Sequence, residues 1–409
     1  MLLNDVLNIS EAYKAPDKIM SFILSDDAEN FIRQVKANGV SGIRDMFQEE
    51  QGDRKRLKQD FSPDCVCRIV AGLVKPGNCL DMCSGTGVLG KEVAIKNQIQ
   101  IDAQEFSERA ISFALLDSCI DGLQGFISHA DCLRDQVFKT YQLKKKGDIS
   151  IPRIVPTRNT QMYDNVIMNP PYSMRFDDSK EYPISGFMIP KSKADYGFIL
   201  RGMQRLNDGG RLIAVVPHGV LFRGQTEGKI REHLISNHMI NAVIGLPEKL
   251  FMNTDIPVCL LVLEKDSPDI LFVDVSKEFE KDGRQNRMTD QQVSKTLNLY
   301  HNRRDVDRLS HVATYKEIKG NGYNLNIPRY VDTFIPEPLP NMDALLSELQ
   351  EIEREEQETR QKLYSMLKDV TAGSNDMEIV ERHRDLLMSE SSEFRQIRMD
   401  EIYGYDMQT

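Results

Sequence analysis

The segment Asn169-Pro170-Pro171-Tyr172 has the groups that would bind a flat substrate carrying an amino group. It follows residues 165–168, which are mostly apolar and β-prone and predict a buried strand. Neither proline has a backbone N–H, so the strand must end there in a rigid, extended stub. The Asn169 amide oxygen and the carbonyl between the prolines can accept hydrogen bonds from an –NH2 group, while the Tyr172 ring stacks on the substrate plane. An ordinary strand that enters a loop through two prolines is the alternative.

The residues around this segment alternate between strand-like and helix-like patterns. Predicted strands alternating with helices of about 10–15 residues indicate a mostly parallel, doubly wound α/β sheet, a Rossmann-like fold. The strands are predicted at residues 79–82, 99–104, 125–129, 165–168, 211–216, 240–245 and 257–263. The helices are predicted at residues 16–22, 28–37, 42–50, 64–74, 196–206 and 229–236, among others. Ser62 is a candidate N-cap and Pro63 a first-turn residue for the helix at 64–74.

Acidic side chains and glycines follow several of these strands. Asp81, Glu105 and Asp131 each lie at the end of a predicted strand, and a glycine-rich turn at residues 84–90 follows the first one. Ligands of such sheets bind at the carboxyl ends of the strands. We therefore expect these groups to meet residues 169–172 in one crevice.

The spacing of these groups favours a nucleoside ligand. Gly85 and Gly87 let the backbone approach a ligand closely, and the helix that follows offers unpaired N–H groups. Glu105 lies 24 residues after Asp81, close to the spacing at which an acid binds a ribose diol. Asp131 can accept a hydrogen bond from an adenine amino group. A nucleoside with a short zwitterionic arm, such as S-adenosylmethionine, fits this set better than a dinucleotide, because the third glycine comes early and an acid ends the first strand.

The net charge of −10 is concentrated near the end of the 409-residue chain. Residues 340–409 contain 17 acidic and 8 basic side chains, so that residues 1–339 are close to neutral. A nearly neutral body can still present a local basic face to a nucleic acid. The basic run at residues 54–58 is either a phosphate contact or a solvated lead-in to the next helix.

Cysteine usage and hydropathy predict a cytoplasmic protein. The seven cysteines have scattered spacings, which favours reduced intracellular thiols over a disulfide framework. They lack the paired knuckles of a zinc site, so no metal is expected. No apolar run approaches the roughly 18 residues of a membrane helix, and the N-terminus lacks a secretory signal pattern.

The chain resembles the modification (M) subunits of type I restriction-modification systems, which are adenine-specific DNA methyltransferases. The resemblance runs from about residue 61 to residue 332, and the order of its motifs is that of the gamma-type amino-methyltransferases. The matching motifs are Phe61-Ser62-Pro63, Asp81-Met82-Cys83-Ser84-Gly85-Thr86-Gly87, Asn169-Pro170-Pro171-Tyr172, Val216-Pro217-His218-Gly219-Val220-Leu221-Phe222, Gly245-Leu246-Pro247-Glu248-Lys249-Leu250-Phe251 and Tyr323-Asn324-Leu325-Asn326-Ile327-Pro328-Arg329-Tyr330. The sequence departs from the family at Met82, where a proline is usual, and at Val88, where a glycine is usual.

The resemblance implies a binding role for each part of the expected crevice. Asp81 would hold the methionine part of S-adenosylmethionine, Glu105 the ribose hydroxyls and Asp131 the adenine amino group. Phe61 and Pro63 would close over the cofactor. The loop residues beside the methionine part would be Gly85, Thr86 and Gly87.

The resemblance also implies how the target adenine is held. The catalytic segment would be Asn169-Pro170-Pro171-Tyr172, and the flipped adenine would stack between Tyr172 and Phe251. An ordinary position in the hydrophobic core is the alternative for Phe251.

We expect three regions: a short helical segment (1–60), a methyltransferase domain (61–335) and an acidic helical tail (336–409). Apolar residues recur in the tail at helical spacing, which predicts one or two amphipathic helices. The resemblance implies that they dock on a separate specificity (S) subunit; packing on the chain's own domain is the alternative. Double-stranded DNA is the expected substrate, and a restriction (R) subunit is a further candidate partner.

Two other functions stay open from the sequence. The same chemistry could act on RNA or on a glutamine side chain of a protein, since Asn-Pro-Pro-Tyr occurs in both classes. A cofactor-binding scaffold with little activity of its own is the other alternative, because fewer residues precede Phe61 than members of the family usually have.

Overall fold

The structure, a computed structural model, describes residues 3–39, 62–157, 161–252, 256–267, 269–333, 341–370 and 374–389. The chain divides into two units, Met1–Phe334 and Ile335–Thr409.

The strands are β1 Cys79–Met82, β2 Ile101–Glu105, β3 Gly125–Asp131, β4 Gln136–Lys146, β5 Ile149–Val155, β6 Tyr163–Met168, β7 Leu206–Pro217, β8 Ile240–Gly245, β9 Val258–Glu264, β10 Asp269–Asp274, β11 Glu280–Asp282, β12 Gln285–Arg287 and β13 Ser310–Thr314. The α-helices are α1 Leu3–Leu7, α2 Ala15–Ile23, α3 Ala28–Ala37, α4 Asp64–Leu73, α5 Val88–Asn97, α6 Glu108–Ile120, α7 Asp195–Met203, α8 Gln225–Ser236, α9 Asp290–Asn302, α10 Tyr315–Gly320, α11 Met342–Lys368 and α12 Ser374–Ser389.

Eleven strands of the described residues form one sheet, in the order β13-β10-β8-β9-β7-β6-β1-β2-β3-β4-β5. The five central strands from β7 to β3 are parallel to one another, whereas β4, β9 and β13 run antiparallel to their neighbours. The predicted mostly parallel, doubly wound α/β sheet is therefore confirmed. The chain extends from β1 to β2 and β3 and then resumes on the other side of β1 at β6. The strand order thus reverses between β1 and β6, which is where ligands of such sheets bind.

The central strands are apolar on both sides. On β6, Ile167 packs into one hydrophobic cluster, whereas Val166 and Met168 pack into the other. Because successive side chains of a strand point to opposite faces, each face of the sheet needs its own cover. Helices α1 to α6 and α9 contribute to the first cluster, and α7, α8 and α10 contribute to the second.

Helix α6 explains why the N-terminal helices belong to the same core. Its residues Phe113, Ala114, Leu115 and Leu116 are all buried, because α6 packs between the sheet and the helices α2 and α3. A helix that is apolar on all sides must be covered on all sides. The helices predicted at residues 16–22 and 28–37 are thus confirmed as α2 and α3.

Two predictions for the first 60 residues fall outside the described residues. They are the third helix, at residues 42–50, and the basic run at residues 54–58.

Two local predictions are wrong. The helix predicted at residues 196–206 ends at Met203, and Leu206 instead begins β7, where it pairs with Tyr163. Pro63, not Ser62, is the N-cap of α4, and no side chain caps that helix. The Ser62 hydroxyl instead accepts a hydrogen bond from a residue of the crevice described below.

Several elements at the two sides of the sheet were not predicted. They are the hairpin of β4 and β5, the strands β10 to β13, and helix α9. Strand β4 mixes exposed, half-buried and buried positions and ends in three exposed lysines, so it lacks the continuous apolar pattern of the central strands.

The second unit contains α11 and α12, as the amphipathic pattern predicts. The apolar side chains of α11 are largely exposed: Met342, Leu345, Leu346, Leu349 and Ile352. Among the described residues, no helix combines the length and the apolar character that crossing a membrane requires.

The packing of α3 predicts the effect of one core substitution. Ile32 is fully buried, so Ile32→Ala should lower the free energy of unfolding by about 3 kcal/mol, through lost apolar contacts and a residual cavity. Urea unfolding followed by circular dichroism measures this change. Tyr13→Ala, at a residue that is 62% exposed, should change stability by less than about 0.5 kcal/mol. Equal effects of the two substitutions would contradict the placement of α3 in the core.

Candidate active site

A crevice of about 600 Å³ lies at the carboxyl ends of β1, β2, β3 and β6. Most of the site residues predicted from the sequence line it: Asp81, Gly85, Thr86, Glu105, Asp131, Asn169, Pro170, Pro171 and Tyr172. Pro63 and Gly87 are next in the chain to the lining residues Ser62 and Thr86. Phe251 is not among the lining residues, and Phe61 lies outside the described residues.

Asp81 is buried at the end of β1, with 1% of its surface exposed. Its Oδ2 accepts a hydrogen bond from the Gly90 N–H at 2.8 Å, whereas its Oδ1 has no hydrogen-bond partner. Gly90 is required for this contact, since a Cβ there would lie 2.8 Å from Oδ2. Burial raises the pKa of Asp81 to about 7, and the neighbouring Glu105 adds to this shift while the Gly90 hydrogen bond opposes it. An ionised Asp81 therefore calls for a ligand that is positively charged or donates hydrogen bonds.

The loop after β1 adds two hydroxyl groups to the crevice. Cys83, Gly85 and Gly87 all have positive φ angles, of 68°, 56° and 84°, which turn the chain sharply into α5. The hydroxyls of Ser84 and Thr86 are buried and have no hydrogen-bond partner. Buried polar atoms are nearly always paired, so these two hydroxyls mark a place where a polar ligand would bind.

Glu105 stabilises the loop from the neighbouring strand. It is buried at the end of β2. Its Oε2 accepts from the Gly85 N–H and its Oε1 accepts from the Ser107 N–H, both at 2.8 Å. Burial raises the pKa of Glu105, although these backbone hydrogen bonds oppose the rise. Each carboxylate oxygen has a second lone pair, so Glu105 can also accept hydrogen bonds from a diol.

Asp131, at the end of β3, forms an ion pair with Arg134. The Asp131 Oδ1 also accepts from the Arg134 backbone N–H at 3.0 Å. The Arg134 guanidinium pairs with Asp178 as well and lies 5.5 Å and 5.8 Å from the ring centres of Phe176 and Tyr182. Arg134 therefore links the edge of β3 to the chain that follows Asn169-Pro170-Pro171-Tyr172.

The half-buried amide of Asn169 is fixed from two sides. Its Nδ2 donates to the Ser62 Oγ at 3.0 Å, and its Oδ1 accepts from the Tyr172 hydroxyl at 2.8 Å. These two contacts orient the amide so that its oxygen lies on the Tyr172 side. The Oδ1 atom has two lone pairs, so it can accept a further hydrogen bond from an amino group.

The rings of Tyr172 and Phe251 do not form an open sandwich. Their centres are 6.1 Å apart and their planes meet at 77°, which is an edge-to-face contact. Phe251 is 3% exposed and belongs to the hydrophobic core. A base between two parallel rings would need about 7 Å, twice a van der Waals separation. Stacking on both rings would therefore require one of them to turn.

Sequence reasoning missed several residues of the crevice. Phe106 follows Glu105, is 42% exposed and lines the crevice, where it offers an aromatic face to a flat ligand. Arg134 lies three residues after Asp131, and an Asp-x-x-Arg pattern at the end of a strand could have indicated this ion pair. Ser62 was instead predicted to cap a helix.

The crevice is therefore lined by acceptors that favour a ligand rich in donors. Asp81, Glu105 and Asp131 lie on three adjacent strands, so a ligand with an ammonium group, a ribose diol and an aromatic amino group would match them. A pyrophosphate would be repelled by Asp81. Within the described residues, no cluster of His, Cys, Asp and Glu side chains could hold a metal ion.

The strand order and the crevice define an α/β protein with the class I methyltransferase fold, and comparisons with known structures agree. The crystal structure of the type I restriction enzyme EcoKI M protein shares this fold at a TM-score of 0.53 and 17% identity, covering 84% of this chain and 83% of that chain. The methyltransferase subunit of a type I restriction-modification system from Streptococcus thermophilus is more similar, with a TM-score of 0.59 and 36% identity. That match covers 67% of this chain and 59% of that chain.

The family model for N-6 DNA methylases matches residues 45–337, more than half of the chain. The chain therefore belongs to the N-6 DNA methylase family. The methylase subunit of the type I restriction enzyme MjaVII from Methanocaldococcus jannaschii is 34% identical over 217 residues, which cover 48% of this chain and 37% of that protein. The methylase subunit of the enzyme MpnII from Mycoplasma pneumoniae is 27% identical over 232 residues, or 54% and 43% of the two chains. The chain spans about half the length of the curated relatives it matches.

The raised pKa of Asp81 predicts how stability depends on pH. The folded protein holds the Asp81 proton up to about pH 7, whereas the unfolded chain releases it near pH 4. The stability of the native protein should therefore fall as the pH rises through this window. Asp81→Asn has no proton to lose there, so at pH 8 it should be more stable than the native protein by up to about 4 kcal/mol.

Urea unfolding at pH 5 and pH 8 measures this difference. Asp307→Asn, at a side chain that is 94% exposed, is the matched control and should follow the native protein at both pH values. The burial of an ionisable Asp81 would be contradicted if Asp81→Asn and the native protein lost stability in parallel.

Proposed function

We propose that the chain transfers a methyl group from S-adenosylmethionine to the N6 amino group of adenine in double-stranded DNA, as the modification subunit of a type I restriction-modification system. The observation that carries the proposal is that one crevice contains both the oriented Asn169 amide and the buried acceptors around Asp81. The first group suits an aromatic amine, and the second suits the methyl donor. Membership of the N-6 DNA methylase family supports the same reaction.

The acceptors of the crevice fit S-adenosylmethionine part by part. Asp81 would bind its positively charged methionine end, and the hydroxyls of Ser84 and Thr86 would bind its carboxylate. Glu105 would accept from the ribose hydroxyls, while Phe106 would stack on the adenine ring. Pro63, Gly87 and the segment around Phe61 would complete the enclosure, as the family resemblance implies.

Asp131 must share its oxygens in order to bind the adenine amino group, because Arg134 already donates to both of them. Each carboxylate oxygen can accept more than one hydrogen bond. A carboxylate accepts a charge-assisted hydrogen bond from an amino group, which is stronger than one between neutral groups.

The chain's contribution to methyl transfer is positioning and electrostatics. S-adenosylmethionine supplies a methyl group on a sulfonium, which is already electrophilic. The target amine is a poor nucleophile, since its lone pair is delocalised into the adenine ring. Acceptors at Asn169 Oδ1 and the Pro170 carbonyl would draw the amine toward a tetrahedral geometry and stabilise its developing positive charge. Pro171 keeps the segment extended, because its ring fixes its own φ and disfavours a helical conformation at Pro170.

The adenine must leave the DNA duplex to reach Asn169. Enzymes that act on a base in duplex DNA rotate it into a pocket and stack it on an aromatic side chain. Tyr172 would be the first stacking surface. Phe251 would become the second after a rotation of one ring from the edge-to-face contact, which is a specific conformational requirement of this proposal.

The tail is proposed to dock on a specificity (S) subunit. The exposed apolar residues of α11 recur at positions 342, 345, 349 and 352, which is the spacing of a helix that packs along another helix. Reading a DNA sequence requires base contacts in a groove, and the specificity subunit would supply them. A restriction (R) subunit would join the same assembly.

Transfer of a labelled methyl group tests the proposal and its alternatives. The chain is incubated with labelled S-adenosylmethionine and with DNA, RNA or a protein extract, with and without the specificity subunit. Label in DNA that is recovered as N6-methyladenine supports the proposal. Label in RNA or protein would favour those substrates, and binding of the donor without transfer in the complete assembly would favour the scaffold.

Asn169→Ala should abolish transfer while leaving the donor bound. The variant loses one acceptor that acts on the transition state, so the rate constant should fall about 100- to 1,000-fold. Affinity for the donor should stay within about three-fold, since the Asn169 side chain is held by Ser62 and Tyr172, whereas the donor is assigned to the three acids. Asn97→Ala is the control, because the Asn97 side chain donates to the Ala71 and Val93 carbonyls and Asn97 does not line the crevice. Retention of more than a few per cent of activity by Asn169→Ala would show that this residue is not catalytic.

A further inference from the structure

The residue after Tyr172 has an unfavourable backbone conformation. Ser173 has a φ of 49°, in the left-handed region that residues with a Cβ adopt only when their surroundings hold them there. This conformation sets the direction in which the chain leaves Tyr172. The contacts of Ser173 show what maintains it.

A buried aspartate holds the Ser173 backbone. Asp195 is the first residue of α7 and is fully buried. Its Oδ1 accepts from the Ser173 N–H at 2.8 Å. The same end of α7 is joined to this loop by a hydrogen bond of 2.9 Å from the Ala194 N–H to the Met174 carbonyl. Since α7 packs on β6 and β7, the loop is fixed to the sheet on which Asn169 is mounted.

An arginine completes the cluster from a distant part of the chain. The Arg223 Nη1 donates to Asp195 Oδ2 at 2.8 Å and to Glu227 Oε1 at 3.2 Å, while its Nη2 donates to the Ser173 Oγ at 3.2 Å. The guanidinium lies directly against Gly219, where a Cβ would come within 2.5 Å of Nε and Nη2. Glycine at position 219 therefore leaves the space that the Arg223 guanidinium occupies.

We propose that Asp195 and Arg223 are positioning residues, which hold Ser173 in its left-handed conformation and thereby fix the Tyr172 ring over the crevice. An ion pair that served stability alone could be replaced by apolar residues of similar volume. Here both members of the pair also bond to Ser173, one to its N–H and one to its hydroxyl. The catalytic consequence rests on the proposed methyl transfer, whereas the effect on the ring does not.

A fluorescent reporter tests the effect on the ring directly. The chain contains no tryptophan, so Tyr172→Trp introduces a single reporter at this position. Adding Asp195→Asn or Arg223→Gln should make the reporter more mobile, with an acrylamide quenching constant about two-fold higher and a faster fluorescence anisotropy decay, since side-chain motion occurs on this time scale. Arg223→Lys keeps the positive charge but replaces the planar guanidinium, whose two nitrogens bond Asp195 and Ser173 at once. It therefore tests whether this paired geometry is needed.

The matched control is the Arg211–Glu264 ion pair. It is similarly buried, with Arg211 Nε 3.0 Å from Glu264 Oε2, but Arg211 lies beside the first part of β6, opposite Asn165. Arg211→Gln should leave the reporter unchanged. Unchanged quenching and anisotropy in folded Asp195→Asn, Arg223→Gln and Arg223→Lys variants would overturn the proposal, and so would an equal change in the control.

The same substitutions in the protein with Tyr172 separate positioning from binding. Asp195→Asn and Arg223→Gln should lower kcat about 100-fold, as a misplaced reacting group does, and leave the KM for S-adenosylmethionine within about three-fold. An unchanged kcat would overturn the catalytic part of the inference. Absence of methyl transfer by the native assembly would instead contradict the proposed function, and the fluorescence result would still decide the role of the cluster.

Discussion

Three acidic side chains share one edge of the sheet, and two of them, Asp81 and Glu105, have backbone N–H groups rather than a basic side chain as their hydrogen-bond partners. Asp81 and Glu105 are buried and receive hydrogen bonds from backbone N–H groups, and Asp131 is paired with Arg134. Burial of a carboxylate without a counter-charge is unfavourable, which is why the pKa values of Asp81 and Glu105 are raised. A cationic ligand with several donors would remove this cost on binding. Carboxylates held at such a cost are common at functional sites.

The fold determines where this unfavourable edge lies. The strand order reverses between β1 and β6, and that reversal brings the acids of β1 to β3 beside the Asn-Pro-Pro-Tyr segment after β6. Both faces of these strands are apolar, so helices must cover both. The N-terminal helices cover α6 on one face. On the other face, Asp195 at the start of α7 and Arg223, just before α8, hold the chain after Tyr172. The layers that stabilise the sheet therefore also fix the chain that follows Tyr172.

Sequence patterns were sufficient for the residues that belong to strand ends. Asp81, Glu105 and Asp131 could be placed in one crevice because the carboxyl ends of parallel strands lie at one edge. The partners of Asn169 and Ser173 could not, since Ser62 and Arg223 are 107 and 50 residues away in the chain, and no local pattern encodes such contacts. The edge-to-face arrangement of Tyr172 and Phe251 was also beyond sequence reasoning, because it depends on packing in the core. The catalytic and binding roles assigned to all of these residues remain predictions.

The most direct test is the binding of S-adenosylmethionine to the purified chain as a function of pH, measured by isothermal titration calorimetry. If an ionised Asp81 binds the cationic donor, affinity should rise about ten-fold per pH unit between pH 5.5 and the Asp81 pKa and then level off. Asp81→Asn should bind much more weakly and show no such rise. Binding of equal strength across this pH range, or the absence of saturable binding, would contradict a site built on the buried carboxylate of Asp81.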